Sequence, residues 1–196
     1  MKSIITSLIL CAVIGLTNAQ PVPSAELQIK TAVLASPEDS RDKAMVYGYS
    51  SKGEFIVLRK GENEQVCIAD DPMKPGLSVS CYHKSLEPFM ARGRQLKNEG
   101  KSFDDIFNIR EQEVKSGKLK MNTQPASLVV YTASAENFNI ETGEVKDGYS
   151  RSVVYIPYAT AESTGLPAKP TTAGMPWIMN PGSHRAHIMI DPPKKN

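Results

Sequence analysis

The chain has 196 residues, of which 40% are hydrophobic and 22% are charged, and its formal net charge at pH 7 is +2. This length and apolar content fit one globular domain with a buried core. The near balance of charge argues against an electrostatic nucleic-acid binder, so we expect no nucleic-acid partner.

Residues 1–19 are predicted to form a secretory signal peptide. Lys2 provides a positive start, Ile4 to Leu16 is mostly apolar, and the small residues Thr17 and Ala19 come just before Gln20. Cleavage after Ala19 would leave residues 20–196 as a single periplasmic or secreted domain. Later apolar runs are too short for a spanning helix, so we expect no transmembrane segment in the mature chain.

The first half of the mature chain has a helical pattern followed by strand patterns. A helix is predicted over Ala25 to Leu34 and a strand over Met45 to Tyr49. Residues 54–59 and 65–69 are rich in strand-forming types and flank a turn-like segment, so they are predicted to pair as a hairpin. Leu77 to Tyr82 is predicted to be the next strand.

Two cysteines remain after removal of the signal peptide, which contains Cys11. Export to an oxidising compartment favours a disulfide between Cys67 and Cys81. In that case the bond would join neighbouring strands and add about 3 kcal/mol through loop entropy. A pair of thiolate ligands or a reactive thiol is the alternative interpretation.

The second half combines two helices with three strands. Helices are predicted over Ser85 to Asn98 and from the cap residue Ser102 onward. Paired strands are predicted over 128–133 and 153–158, and an ordered Pro- and Gly-rich loop leads to a last strand over 187–190. The predicted fold is α+β, with a mostly antiparallel sheet covered by the two central helices.

The histidines suggest a metal site. His83, His184 and His187 are the three in the chain, and Met189 follows closely on the last strand. Three imidazoles with an open position suit catalytic zinc, whereas imidazole with thioether suits copper. The alternative function is therefore a zinc-dependent hydrolase or a copper-binding protein. Ordinary surface and loop histidines explain the same residues without a metal.

The aromatic residues of the C-terminal half suggest a ligand pocket. Trp177 could form its rim together with Tyr155, Tyr158 and His187. The tryptophan would otherwise anchor the proline-rich loop to the sheet. No phosphate-binding glycine loop and no nucleophile-elbow motif occurs in the sequence. The leading interpretation is a non-enzymatic domain that binds an unknown small molecule or protein.

Three segments carry a resemblance to known sequences. The run 81–94 (CYHKSLEPFMARGR), the run 154–160 (VYIPYAT) and the run 175–179 (MPWIM) resemble a family of uncharacterised exported bacterial proteins. The resemblance implies a bacterial periplasmic or secreted setting and a single domain. It implies no activity and no catalytic or binding residue.

Overall fold

A computed structural model describes residues 22–192, so the predicted signal peptide lies outside the described residues. The strands are β1 (Met45–Tyr49), β2 (Phe55–Arg59), β3 (Gln65–Ile68), β4 (Leu77–His83), β5 (Ala126–Ala133), β6 (Tyr149–Tyr155), β7 (Trp177–Met179) and β8 (His187–Ile190). The α-helices are α1 (Ala25–Ala32), α2 (Glu87–Asn98), α3 (Phe103–Lys115) and the short α4 (Ala161–Thr164).

All eight strands form one sheet in the order β2-β1-β3-β4-β5-β6-β8-β7. Every neighbouring pair is antiparallel except β1 and β3, which are parallel. The prediction of an α+β fold with a mostly antiparallel sheet is confirmed. Within the described residues, no helix is long and apolar enough to cross a membrane.

The predicted hairpin of β2 with β3 is wrong, because both strands pair with β1. A tight turn joins β1 to β2, closed by hydrogen bonds from Ser50 N–H to Glu54 O and from Gly53 N–H to Ser50 O. This turn makes β1 the antiparallel partner of β2. The segment after β2 then crosses to the opposite edge of β1, where β3 adds in parallel.

The predicted disulfide is confirmed. Cys67 of β3 lies directly opposite Cys81 of β4, and their sulfur atoms are bonded. Both side chains are buried in the cluster that packs under α1. The bond therefore joins adjacent strands inside the core, as expected from the position of each cysteine on its strand.

One face of the sheet is covered by α1 and the 3-10 turn that follows it. Ala32, Val33 and Ala35 pack there against Val79 and other buried residues of β1, β3 and β4. Gln28 fixes the helix in place. Its amide donates to Tyr49 O over 2.9 Å, and its Oε1 accepts from Tyr49 N–H over 2.8 Å.

The opposite face packs against α2, while α3 packs against α2. Phe89 of α2 joins Tyr82, Tyr155 and Met189 in the second core cluster. The expected cover of the sheet by two central helices is not confirmed in that form. The physical reason is that the buried residues of α3, Arg110 and Glu113, are polar.

Candidate functional site

The structure does not bring the three histidines together. His83 ends β4 and His187 begins β8, with β5 and β6 between them. Three steps between neighbouring strands span roughly 14 Å, far more than ligands of one ion allow. Among residues 22–192, no three histidine, cysteine, aspartate or glutamate side chains are placed to hold a metal ion.

His83 caps the 3-10 turn that precedes α2. Its Nδ1 accepts from Ser85 N–H over 3.2 Å and lies 2.8 Å from Ser85 Oγ. Its Nε2 lies 3.6 Å from Glu64, which also pairs with Lys84. The ring therefore has a local structural role at the surface.

His184 is fully buried against α3 and α2. Its ring centroid lies 4.9 Å from that of Phe107 and 5.6 Å from that of Phe89. Its Nδ1 lies 2.5 Å from Glu111 Oε2, and its Nε2 has no hydrogen-bond partner among the described residues. Burial lowers the pKa of His184 despite the nearby Glu111 carboxylate, so the ring is neutral at pH 7.

The predicted pocket residues lie in three different places. Tyr155 and His187 are opposite each other on β6 and β8, with ring centroids 5.2 Å apart, and both are buried. Trp177 packs against the core and donates to Asp191 over 3.3 Å, beside a small pocket. Tyr158 alone lines a large groove.

This groove, which we call the Tyr158 groove, has a volume of about 630 Å³. It lies between the segment before β5 and the segment after β6. Its lining residues are Met121, Asn122, Thr123, Gln124, Pro125, Ile156, Pro157, Tyr158 and Ala159. None of these lining side chains is ionisable near pH 7.

Tyr158 is held in the left-handed backbone region, with φ of 64°. This conformation costs roughly 1–2 kcal/mol for a residue other than glycine. Three backbone hydrogen bonds maintain it: Tyr158 N–H to Ser183 O, Ala159 N–H to Ile156 O, and Gly182 N–H to Ala159 O. As a result, a ring that is 40% exposed stays at the groove wall.

The polar groups of the groove suit hydrogen bonding to a neutral ligand. Asn122, Thr123 and Gln124 present amide and hydroxyl groups, and Tyr158 adds a phenol. One amide hydrogen of Asn122 is used in a 3.0 Å bond to Ser85 Oγ, which orients that side chain. Burial and the Glu111 carboxylate raise the pKa of Tyr158, so its phenol stays protonated and can donate.

Sequence reasoning identified Tyr158 but missed the opposite wall of the groove, residues 121–125. These residues have no periodic pattern and match no motif, so nothing in the sequence marks them as functional. They become a groove wall only because β5 pairs with β6, which places the residues just before β5 beside those just after β6. That proximity is a property of the sheet.

Comparison with known proteins gives no relative. No protein-family model matches the chain, and neither a curated protein nor a solved structure matches it. The resemblance to exported bacterial proteins therefore stays a prediction.

Proposed function

We propose that the protein is an exported, non-enzymatic domain that binds a neutral, hydroxyl-rich ligand, such as a sugar chain, in the Tyr158 groove. The observation that carries this proposal is the exposed Tyr158 ring, held in a strained backbone conformation at the wall of an uncharged groove. Strained residues of this kind persist where the surrounding structure enforces them, and they concentrate at binding sites.

The chemistry of the lining supports a sugar ring as the ligand. A pyranose has an apolar C–H face, which can stack on an aromatic ring, and hydroxyl groups around its edge. Tyr158 offers the ring, while Asn122 and Gln124 offer both donors and acceptors. A groove without charged lining gives a charged ligand no compensation for its lost hydration.

The proposal also states that the protein is exported and that it has no catalytic activity. The buried Cys67–Cys81 disulfide supports an oxidising compartment, which is where the predicted signal peptide would direct the chain. A neutral glycan is also a ligand that an exported protein meets outside the cytoplasm.

The test is binding of the purified mature protein to an array of neutral and charged glycans. We expect wild-type protein to bind at least one neutral glycan, and the Tyr158→Asn variant to bind it at least tenfold more weakly. Asparagine tolerates the left-handed backbone better than most residues, so this change removes the ring while keeping the turn. Tyr149→Asn is the matched control, since Tyr149 is also exposed and lies outside the groove.

Two results would contradict the proposal. One is an array on which no neutral glycan binds. The other is undiminished binding by Tyr158→Asn, since this would place the contact elsewhere on the surface. Circular dichroism of both variants checks that they retain the wild-type fold.

A further inference from the structure

A buried arginine lies where α3 and the segment before β8 meet α2. It is Arg110 of α3, which is 7% exposed. The guanidinium carbon lies 3.9 Å from the centroid of the Phe89 ring. Its Nη1 donates to Phe89 O over 3.2 Å, and its Nε has no partner among the described residues.

The charge of Arg110 is not balanced by a carboxylate. Arg92 and Arg94 on α2 form ion pairs with Glu113 and Glu87, but no ion pair involves Arg110 within residues 22–192. A buried charge is strongly unfavourable unless it is paired, and one ring contact with one carbonyl bond leaves most of the guanidinium uncompensated. Burial accordingly lowers the pKa of Arg110 to about 10.

A second guanidinium adds to the same positive region. Arg185 lies next to His184 in the chain, and its guanidinium carbon is 4.9 Å from the centroid of the Phe103 ring. The Phe89 ring that Arg110 stacks on lies 5.6 Å from the His184 ring, measured between centroids, so the two arginines flank the same cluster of rings. Burial raises the pKa of the Tyr155 phenol, and the charges of Arg110 and Arg185 together with a hydrogen bond from Arg185 oppose that rise. Arg185 likewise forms no ion pair within the described part of the chain.

We propose that Arg110 and Arg185 form a binding site for an oxyanion, either free phosphate or the phosphate or carboxylate group of a larger molecule. The anion would supply the missing negative charge by accepting from the guanidinium donors of Arg185, while the buried guanidinium of Arg110 adds its positive charge to the site. Phe103 is 67% exposed, so the Arg185 side of the site opens towards solvent. The proposal is independent of the Tyr158 groove, which has a different lining.

The nearby imidazole does not provide a competing cation. The Nδ1 atom of His184 donates to Glu111, which leaves Nε2 of the neutral ring as an acceptor. This tautomer is assigned from the hydrogen-bond network. The positive charge of the site therefore comes from the two arginines.

The experiment is calorimetric titration of the mature protein with inorganic phosphate, and separately with acetate, at constant ionic strength maintained with sodium chloride. We expect one saturable site, with binding at least tenfold weaker in Arg185→Gln. Arg185 is half-buried, so this variant should fold where Arg110→Gln could fail. Arg151→Gln is the matched control and should bind as wild type does, since Arg151 is a partly exposed arginine on β6 that pairs with Asp191.

Each result decides the proposal. Stronger binding of phosphate supports a phosphate ligand, and stronger binding of acetate supports a carboxylate. Absence of saturable binding of both anions would overturn the proposal. Equal affinity in wild type and Arg185→Gln would overturn it as well, because a site without Arg185 is not the one proposed.

Discussion

Glu111 of α3 accepts two hydrogen bonds from His184 through one carboxylate oxygen. The backbone N–H of His184 lies 2.9 Å from Glu111 Oε2, and the ring Nδ1 lies 2.5 Å from the same atom. This pair attaches the segment before β8 to the central helices. Ser183 in the same segment accepts a hydrogen bond from Tyr158 N–H through its backbone oxygen. The Glu111–His184 pair therefore also supports the wall of the Tyr158 groove.

Replacement of Glu111 by Gln is expected to lower the free energy of unfolding by about 2 kcal/mol at pH 7. The amide oxygen can still accept from His184, but it lacks the negative charge that strengthens these bonds and pairs with Lys115. Partial burial acts to raise the pKa of Glu111, but bonds from His184 and Lys115 outweigh it and lower the pKa to about 2. The stabilisation is therefore present above pH 4.5 and is lost as the pH falls towards 2.

Urea unfolding at pH 7 and at pH 3 measures this effect. The difference between wild type and Glu111→Gln should shrink at the lower pH. Glu141→Gln, at an exposed loop position, is the control and should change little at either pH. An equal difference at both pH values would contradict the assigned role of the carboxylate.

Asp70 is predicted to make the protein less stable as the pH rises from about 4 to 6. Burial raises the pKa of Asp70 to about 6, with Asp71 adding to the rise, while the hydrogen bond from Ser78 N–H and the charge of Lys74 oppose it. The folded state then holds a proton that the unfolded state has released, so stability falls across this interval.

Asp70→Asn should remove this pH dependence and raise the free energy of unfolding at pH 7 by about 1 kcal/mol, allowing for solvent screening of a partly exposed group. The amide oxygen of asparagine can still accept from Ser78 N–H, so the turn is retained. Thermal unfolding between pH 4 and 7 measures the effect. A variant that keeps the wild-type pH profile would contradict it.

The disulfide is expected to contribute about 3 kcal/mol to stability, since it closes a loop with a sequence separation of 14 residues. The Cys67→Ala, Cys81→Ala double variant should show this loss in urea unfolding. Adding a reductant should reduce the stability of wild type and leave the double variant unchanged. A response of the double variant to reductant would show that the effect does not come from this bond.

Two glycines with similar backbone angles allow a matched comparison. Gly76 and Gly53 have φ of 84° and 79°, but a Cβ at Gly76 would lie 2.7 Å from Ala133 O, whereas one at Gly53 would contact nothing within 4 Å. Gly53→Ala should cost about 1 kcal/mol for the strained backbone. Gly76→Ala should cost at least about 1 kcal/mol more, because of the added clash. Equal losses in chemical unfolding would contradict this view of the turn before β4.

The strain at Tyr158 can be measured by comparing two replacements of the same ring. Tyr158→Gly should be about 1 kcal/mol more stable than Tyr158→Ala, because both lack the ring and only alanine retains the left-handed penalty. Chemical unfolding of the two variants gives the difference. Equal stabilities would mean that the backbone relaxes once the ring is removed.

Local sequence patterns predicted most elements, because caps, turns and periodicity act within a few residues. The Ser102 cap correctly marked the start of α3, where the capping box with Asp105 is formed. β7 was missed, since three residues in a Pro- and Gly-rich segment show no alternation and become a strand only by pairing with β8. The pairing of β2 and β3 with β1 was missed as well, because the choice of partner strand depends on contacts outside each segment.

The sequence by itself determined the residue types available for chemistry, the cysteine pair and the positions of the main helices and strands. Only the tertiary structure decided which of those residues meet. Strand order separates His83 from His187, buries Tyr155, and places 121–125 beside Tyr158. Contacts between distant segments depend on the packing of the whole sheet, so short-range sequence patterns do not predict them.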